Sequence, residues 1–225
     1  CQRLGFQVSF HAPYKGPCNP AGFSTGEREK LERLFRPAID YAARIAEEAG
    51  PTTLVVHGAK SKRPRGELRR DTEAFLRWIV EEAPGLCPAI ELLIRDETVC
   101  KIGDSKLELV EIVSALDSPK VGICWDLGHD ARDGSLPVPP GFLPLVHHVH
   151  VHDIAPDGKD HCPILFGRVP YEMYLHQLAG ANYRNSVILE VNGHYVSLIA
   201  EADGKQSYQI LESCFRTLNQ RTAGH

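Results

Sequence analysis

Residues 146–153 read VHHVHVHD, four histidines and an aspartate in eight positions. A strand alternates its side chains with a period of two, so an extended reading puts His148, His150 and His152 on one face and His147 and Val149 on the other. Imidazoles crowded on one face are costly to bury unless each ring nitrogen meets a donor, an acceptor or a metal ion. The same layout, an apolar run closed by an ionisable residue, recurs along the chain. It ends at His11 in SFH, His57 in LVVH, Glu91 in AIE, Asp126 in ICWD and Glu190 in ILE.

Between these runs the period changes to three and four. Leu31, Leu34, Phe35, Ala38, Ala42 and Ile45 form one apolar stripe, and Phe75, Trp78 and Ile79 mark a second helix. Leu107, Leu109, Val110, Val113 and Leu116 mark a third, YEMYLHQLAG a fourth, and Tyr208, Leu211, Cys214, Phe215 and Leu218 the last. Six strand-then-helix units without a hairpin signal predict parallel strands joined by crossovers. The glycine-rich phosphate fingerprint of nucleotide-binding open sheets is absent. Ionisable residues at every strand end instead suit a barrel, whose C-terminal face gathers those ends around one pocket. The fold expected is α/β, a (β/α)8 TIM barrel lacking its first two strands in this chain, with residues 1–225 as a single domain. Six strands do not close an eight-stranded barrel, and CQRLGFQVSFH opens already in a strand.

With 225 residues and 43% hydrophobic content, the chain can bury one full core. A formal charge of -4 gives no general attraction to a polyphosphate. The run KSKRPRGELRR at 60–70 is a local exception. It suits the phosphate of a small sugar or of a duplex, or else is a solvated loop and helix start. Seven cysteines, an odd number without a CxxC pair, read as thiols of a reducing compartment. No apolar run is long enough to cross a bilayer, and the expected location is cytoplasmic. Unpaired edges left by two missing strands would be covered in a homo-oligomer.

Glu91, Asp126, His152 and Glu190 form an oxygen-rich set suited to Mn²⁺, Mg²⁺ or Co²⁺ and tolerable for Zn²⁺. Three carboxylates in one pocket repel one another and take up protons unless a cation neutralises them. Of the remaining strand histidines, one of His148 and His150 is expected to be a satisfied core or orienting residue rather than a ligand, and His147 is expected to face the helices. Trp125, alternating with Asp126, points into the core. NGH at 192–194 is either a polar rim or a surface loop.

From about residue 5 to about residue 192 the chain resembles the xylose isomerase-like barrels, which include sugar isomerases and epimerases and the endonuclease IV-type abasic-site nucleases. The matching motifs are SFHAPY with His11, VVHG with His57, AIELL with Glu91, DLGH with Asp126 and His129, VHVHD with His152, ILE with Glu190, and HCPILFG with His161. The resemblance implies a divalent-metal-dependent isomerase or epimerase of a small sugar or sugar phosphate. Glu91 and Glu190 would be the catalytic carboxylates that move the proton beside the carbonyl through a metal-stabilised enediolate. The nuclease branch implies a larger zinc set, with His11 and His57 beside a bridging Glu91 and with His129 and His161 at a third ion, and DNA as the partner. Lys159 stands where that branch has an aspartate. His11 and His57 also fit a role in orienting substrate. A non-catalytic, metal-stabilised barrel is the remaining alternative.

Overall fold

The computed structural model describes residues 7–222, so Cys1 and residues 4–6 of the first expected strand lie outside the described residues. Six strands, β1 (Ser9–His11), β2 (Thr52–Val56), β4 (Leu86–Glu91), β6 (Gly122–Asp126), β7 (Val146–Val151) and β8 (Val187–Leu189), form one sheet in the order β1-β2-β4-β6-β7-β8. Two short strands, β3 (Lys60–Ser61) and β5 (Cys100–Lys101), pair antiparallel as a separate ribbon. That ribbon was not foreseen; two residues a side carry no periodicity. Strand order follows chain order without reversal, whereas a doubly wound sheet reverses at its switch point. The fold is therefore α/β, of the (β/α)8 barrel type, with six of its strands. The helices are α1 (Arg28–Ala49), α2 (Arg65–Glu82), α3 (Lys106–Leu116), α4 (Leu127–Arg132), α5 (Tyr171–Gly180), α6 (Gly193–Ala202) and α7 (Ser207–Thr222). Among the described residues no helix is long and apolar enough to cross a membrane.

The chain divides into two compact units, Cys1–Cys124 with Val138–His148, and Trp125–Pro137 with Val149–His225. In the first, parallel register pairs His11 with Val55, Val56 with Ile90 and Glu91 with Cys124. Leu54, Val55, Val56, Ala89 and Ile90 are all at or below 1% exposed. Such burial on both faces is the usual state of parallel strands under crossover helices. Helix α1 buries Leu31, Phe35, Ile39, Ala42 and Ala46, so its stripe is turned from the expected one and leaves Leu34, Ala38 and Ile45 half-buried. Helix α3 likewise buries Ile112 with Leu109, Val113 and Leu116, while Leu107 is exposed. Phe23, Phe35, Phe75 and Trp78 pack with neighbouring ring centroids 4.6–5.9 Å apart. Asp71, fully buried, takes the Gly22 N–H at 2.6 Å and the Ser24 N–H at 2.9 Å, pinning the loop after β1.

The basic run belongs to this unit, and three of its arginines are committed to carboxylates. Arg63 pairs with Glu67 and Asp71, Arg65 with Asp104 and Glu108, and Arg69 with Glu73 and Glu111. The Arg65 and Arg69 pairs brace α2 against α3. These three arginines are thus held in an intramolecular ion-pair network.

In the second unit β7 and β8 pair in parallel, Val149 with Val187 and Val151 with Leu189. Helix α4 was not foreseen, because a six-residue helix shows no apolar period. Helix α6 replaces the loop reading of NGH: the Asn192 side chain accepts the His194 N–H at 2.9 Å and caps it. Val196 and Ala200 of α6 pack on Ile210 of α7. Helix α7 buries Ile210, Cys214 and Leu218, whereas Tyr208 and Phe215, expected in its stripe, are exposed. Trp125 is fully buried, edge-on to Tyr174 at 5.2 Å, and its indole N–H donates to Asp130 at 2.9 Å. The six cysteines among the described residues are all free thiols.

Candidate metal centre

In the first unit the end of β4 delivers Glu91, 1% exposed. Its Oε2 lies 3.0 Å from Nε2 of His11, at the end of β1, and 3.0 Å from Nε2 of His57, just past β2. His11 Nδ1 is 2.8 Å from the Ala12 carbonyl, which can only accept, so Nδ1 carries the proton. A neutral His11 then turns a lone pair toward a carboxylate oxygen. Only a further proton or a cation makes that contact favourable. The Tyr14 ring lies 4.5 Å from His57 and 5.2 Å from His11 and covers both.

The second unit is built around Asp126, the fully buried last residue of β6 and the N-cap of α4. Oδ1 accepts the His129 N–H at 2.8 Å and lies 3.1 Å from His152 Nε2. Oδ2 lies 3.4 Å from His129 Nδ1 and 3.9 Å from His150 Nδ1. His150 Nδ1 in turn stands 2.7 Å from Oε2 of Glu190, one residue past β8. His161 reaches the same region on the loop after β7, with φ 55°, a left-handed conformation that is strained for a side-chain-bearing residue. Asp160 accepts from His161 Nδ1 at 3.1 Å and is itself paired with Arg132. That chain leaves Nε2 of His161 as the metal-competent atom, the usual way an outer carboxylate orients a ligand imidazole. The His161 contact holds the Asp160 carboxyl well below its usual range, against burial, with Arg132 adding to the effect.

Two ligand groups result in this unit, Asp126 with His150 and Glu190, and Asp126 with His129, His152 and His161. Within each, the ligand atoms lie within 4.8 Å of one another. Buried His152 turns its Nε2 to Asp126 Oδ1 at 3.1 Å. Nδ1 lies 2.9 Å from the His161 N–H and 3.3 Å from the Asp153 carbonyl. The His161 N–H can only donate, so Nδ1 accepts it and the neutral ring carries its proton on Nε2, facing Asp126. Burial works to lower the His152 imidazole, but the Asp126 charge outweighs it and raises the group to about 8. Imidazoles and carboxylates converging on Asp126 make a mixed nitrogen and oxygen donor set, which fits a divalent ion.

All eight residues expected as ligands fall into these groups: His11, His57 and Glu91 in the first unit, Asp126, His129, His152, His161 and Glu190 in the second. The expected partnership of His152 with Glu190 is replaced. His150 stands beside Glu190, and His152 joins His129 and His161. His150 is thus the site residue the sequence reading missed; its signal was its place as the last histidine inside β7. His147 is half-buried against Gly122 of β6, where an added Cβ would come within 2.1 Å of its Cγ. Burial pushes its imidazole down.

Asp153, the aspartate of the opening stretch, serves the backbone instead. Its carboxylate accepts the N–H groups of Ile154, Phe166, Gly167 and Arg168 at 2.7–3.1 Å. Lys159, where an aspartate was expected, pairs with Asp157 at 2.6 Å.

A family model described as a xylose isomerase-like TIM barrel matches residues 1–214. An uncharacterised protein of Methanocaldococcus jannaschii is 25% identical over 232 residues, spanning 98% of this chain and 74% of that protein. The crystal structure of a D-tagatose 3-epimerase-like protein is similar, with a TM-score of 0.71 at 24% identity over 99% of this chain and 82% of that one. The 3-keto-D-glucoside 4-epimerase of E. coli gives 0.67 at 15% identity over 97% and 81%. The structural likenesses carry the fold alone, and with a family model spanning nearly the whole length, the chain belongs to the xylose isomerase-like TIM barrel family.

Proposed function

We propose that this chain is a divalent-metal-dependent epimerase or isomerase of a small sugar or sugar phosphate, working in the cytoplasm. The observation that carries the reading is the convergence of Asp126, His150 and Glu190, a mixed oxygen and nitrogen set on strand ends. The epimerase names of two structural neighbours support it. In this reading Asp126 and His150 hold the ion with Glu190. A bound divalent ion supplies positive charge for the oxygens of the substrate as the proton beside its carbonyl is removed. Glu91 and Glu190 carry that proton away and return it. For Glu91, the two histidines on Oε2 keep the carboxylate oriented, and its burial excludes water from the transfer.

The test is a panel of ketoses and ketose phosphates in D₂O with Mn²⁺. Deuterium should enter at the carbon beside the carbonyl as the epimer forms. Glu91→Gln and Glu190→Gln should each lower kcat by at least about a hundredfold, the usual contribution of a positioned acid or base. No exchange with any sugar, together with cleavage of an abasic-site duplex, would replace this reading by the nuclease. An inert protein that still binds metal would replace it by the non-catalytic barrel.

A further inference from the structure

Glu91 has little play in its place: one carboxylate oxygen, Oε2, meets His11 and His57 at 3.0 Å each. These three residues come from the ends of β1, β2 and β4, and the segment after each strand is tied to one structure, the ribbon of β3 and β5. The ribbon strands lie in the segments that follow β2 and β4, and they pair Lys60 with Lys101 and Ser61 with Cys100. From the loop after β1, Asn19 holds Lys60 as a neighbouring strand would. Its side chain donates to the Lys60 carbonyl at 2.7 Å and accepts the Lys60 N–H at 3.0 Å.

At the foot of the ribbon two buried glycines face backbone directly. Gly58, next after His57, lies against Ile102, and an added Cβ would stand 2.3 Å from the Ile102 carbonyl oxygen. Gly103, next after Ile102, has φ 104° and backs onto Glu91, where an added Cβ would stand 2.7 Å from the carbonyl oxygen. Hydrogen bonds close the same contacts: the Ile102 N–H donates to the Ala59 carbonyl and the Leu93 N–H to the Gly103 carbonyl, both at 2.9 Å. His57 and Glu91 are thus joined through Gly58, Ile102 and Gly103 by close backbone contacts, with no flexible side chain between them to yield. We infer that Gly58 and Gly103 are positioning residues, and that the foot of the ribbon sets the distance from the His57 imidazole to the Glu91 carboxylate. Its effect on turnover rests on the reading of Glu91 as a proton carrier; the spacing itself does not.

The experiment uses the full chain. Ordinary contact begins at 3.4 Å against the 2.3 Å at Gly58, so Gly58→Ala must open the foot by about 1 Å. A displacement of that size costs about a hundredfold in rate. In the deuterium-exchange assay Gly58→Ala should lower kcat by about that factor with KM little changed, and Gly103→Ala should act in the same direction. The control is Gly85→Ala, before the start of β4, where an added Cβ would meet the Ala46 Cβ at 3.1 Å. Any change there should be in stability, with kcat kept. Without substrate, the geometry is read by proton NMR of the His11 and His57 Cε1–H resonances in metal-free protein at one pH, assigned through His11→Gln and His57→Gln. The His57 resonance should move in both ribbon variants and stay in Gly85→Ala. Asn19→Ala, which frees Lys60 without adding an atom, should keep the fold and move it too. An unmoved His57 resonance in the ribbon variants and Asn19→Ala overturns the inference, as does an equal fall of kcat in Gly85→Ala. Moved resonances in a protein that turns over no ketose would sink only the epimerase reading.

Discussion

Gly128 offers a test in which one methyl group separates two outcomes. It is the second residue of α4 and lies under the His152 ring: an added Cβ would stand 2.2 Å from Cε1 and 2.5 Å from each ring nitrogen, where ordinary contact begins at 3.4 Å. The ring has nowhere to retreat. It is fully buried, stacked on His161 at 4.2 Å and edge-on to His129 at 5.3 Å, and its own carbonyl takes the Tyr171 hydroxyl at 2.5 Å. Overpacking of this kind costs about 1–3 kcal/mol. Exchange of glycine for alanine inside a helix returns up to about 1 kcal/mol. Gly128→Ala should therefore be less stable by about 1–2 kcal/mol net. The control is Gly66→Ala, also the second residue of a helix, where the nearest atom to a new Cβ is Arg70 Nη1 at 4.0 Å. That variant should be neutral or slightly stabilised. Urea unfolding reads both. Equal stability in the two variants would refute the close approach of ring to backbone.

Two further expectations concern His152 and the loop after β7. Metal-free protein should draw stability from protonated His152, whose pKa is raised from 6.5 to about 8. A raised group contributes fully below its unfolded pKa and loses that contribution as pH rises through the folded one. The parent minus His152→Gln difference in unfolding free energy should thus fall by about 2 kcal/mol between pH 6 and 9 without metal. A flat difference would count against the assignment. Asp153→Ala strands four N–H groups and should cost about 3 kcal/mol in urea unfolding, with faster proteolysis at 154–168. A loss below about 1 kcal/mol would show that water replaces the carboxylate.

The sheet was legible because its strands are apolar runs with an ionisable residue at the end, a pattern that only packing under crossover helices and a functional rim together explain. Helix faces were less so. In α1 several alanines and leucines flank the true stripe, and periodicity alone cannot decide between Ile39 and Ala38. Short α4 escapes any period, yet Asp126 three residues before His129 is a capping pattern that could have announced it. At the site, ligand candidates were readable but their partners were not. His148, His150 and His152 share one face by alternation, and what separates them is where β7 stops, at Val151, a boundary that sequence places poorly. The cross-helix partners of Arg65 and Arg69 were not legible, because Asp104, Glu108 and Glu111 lie about forty residues on, beyond local pattern.

Asp126 both caps α4 and touches three of the histidines. Anyone seeking an inactive control will be drawn to it, and it is the wrong choice. Replacing it frees the first turn of α4 at the same stroke as it strips the centre, so a dead variant there reports damage to the scaffold and to the chemistry without separating them. His150, lodged mid-sheet with its backbone paired to Ile188, lets a geneticist remove a single candidate ligand while the helix stays wound.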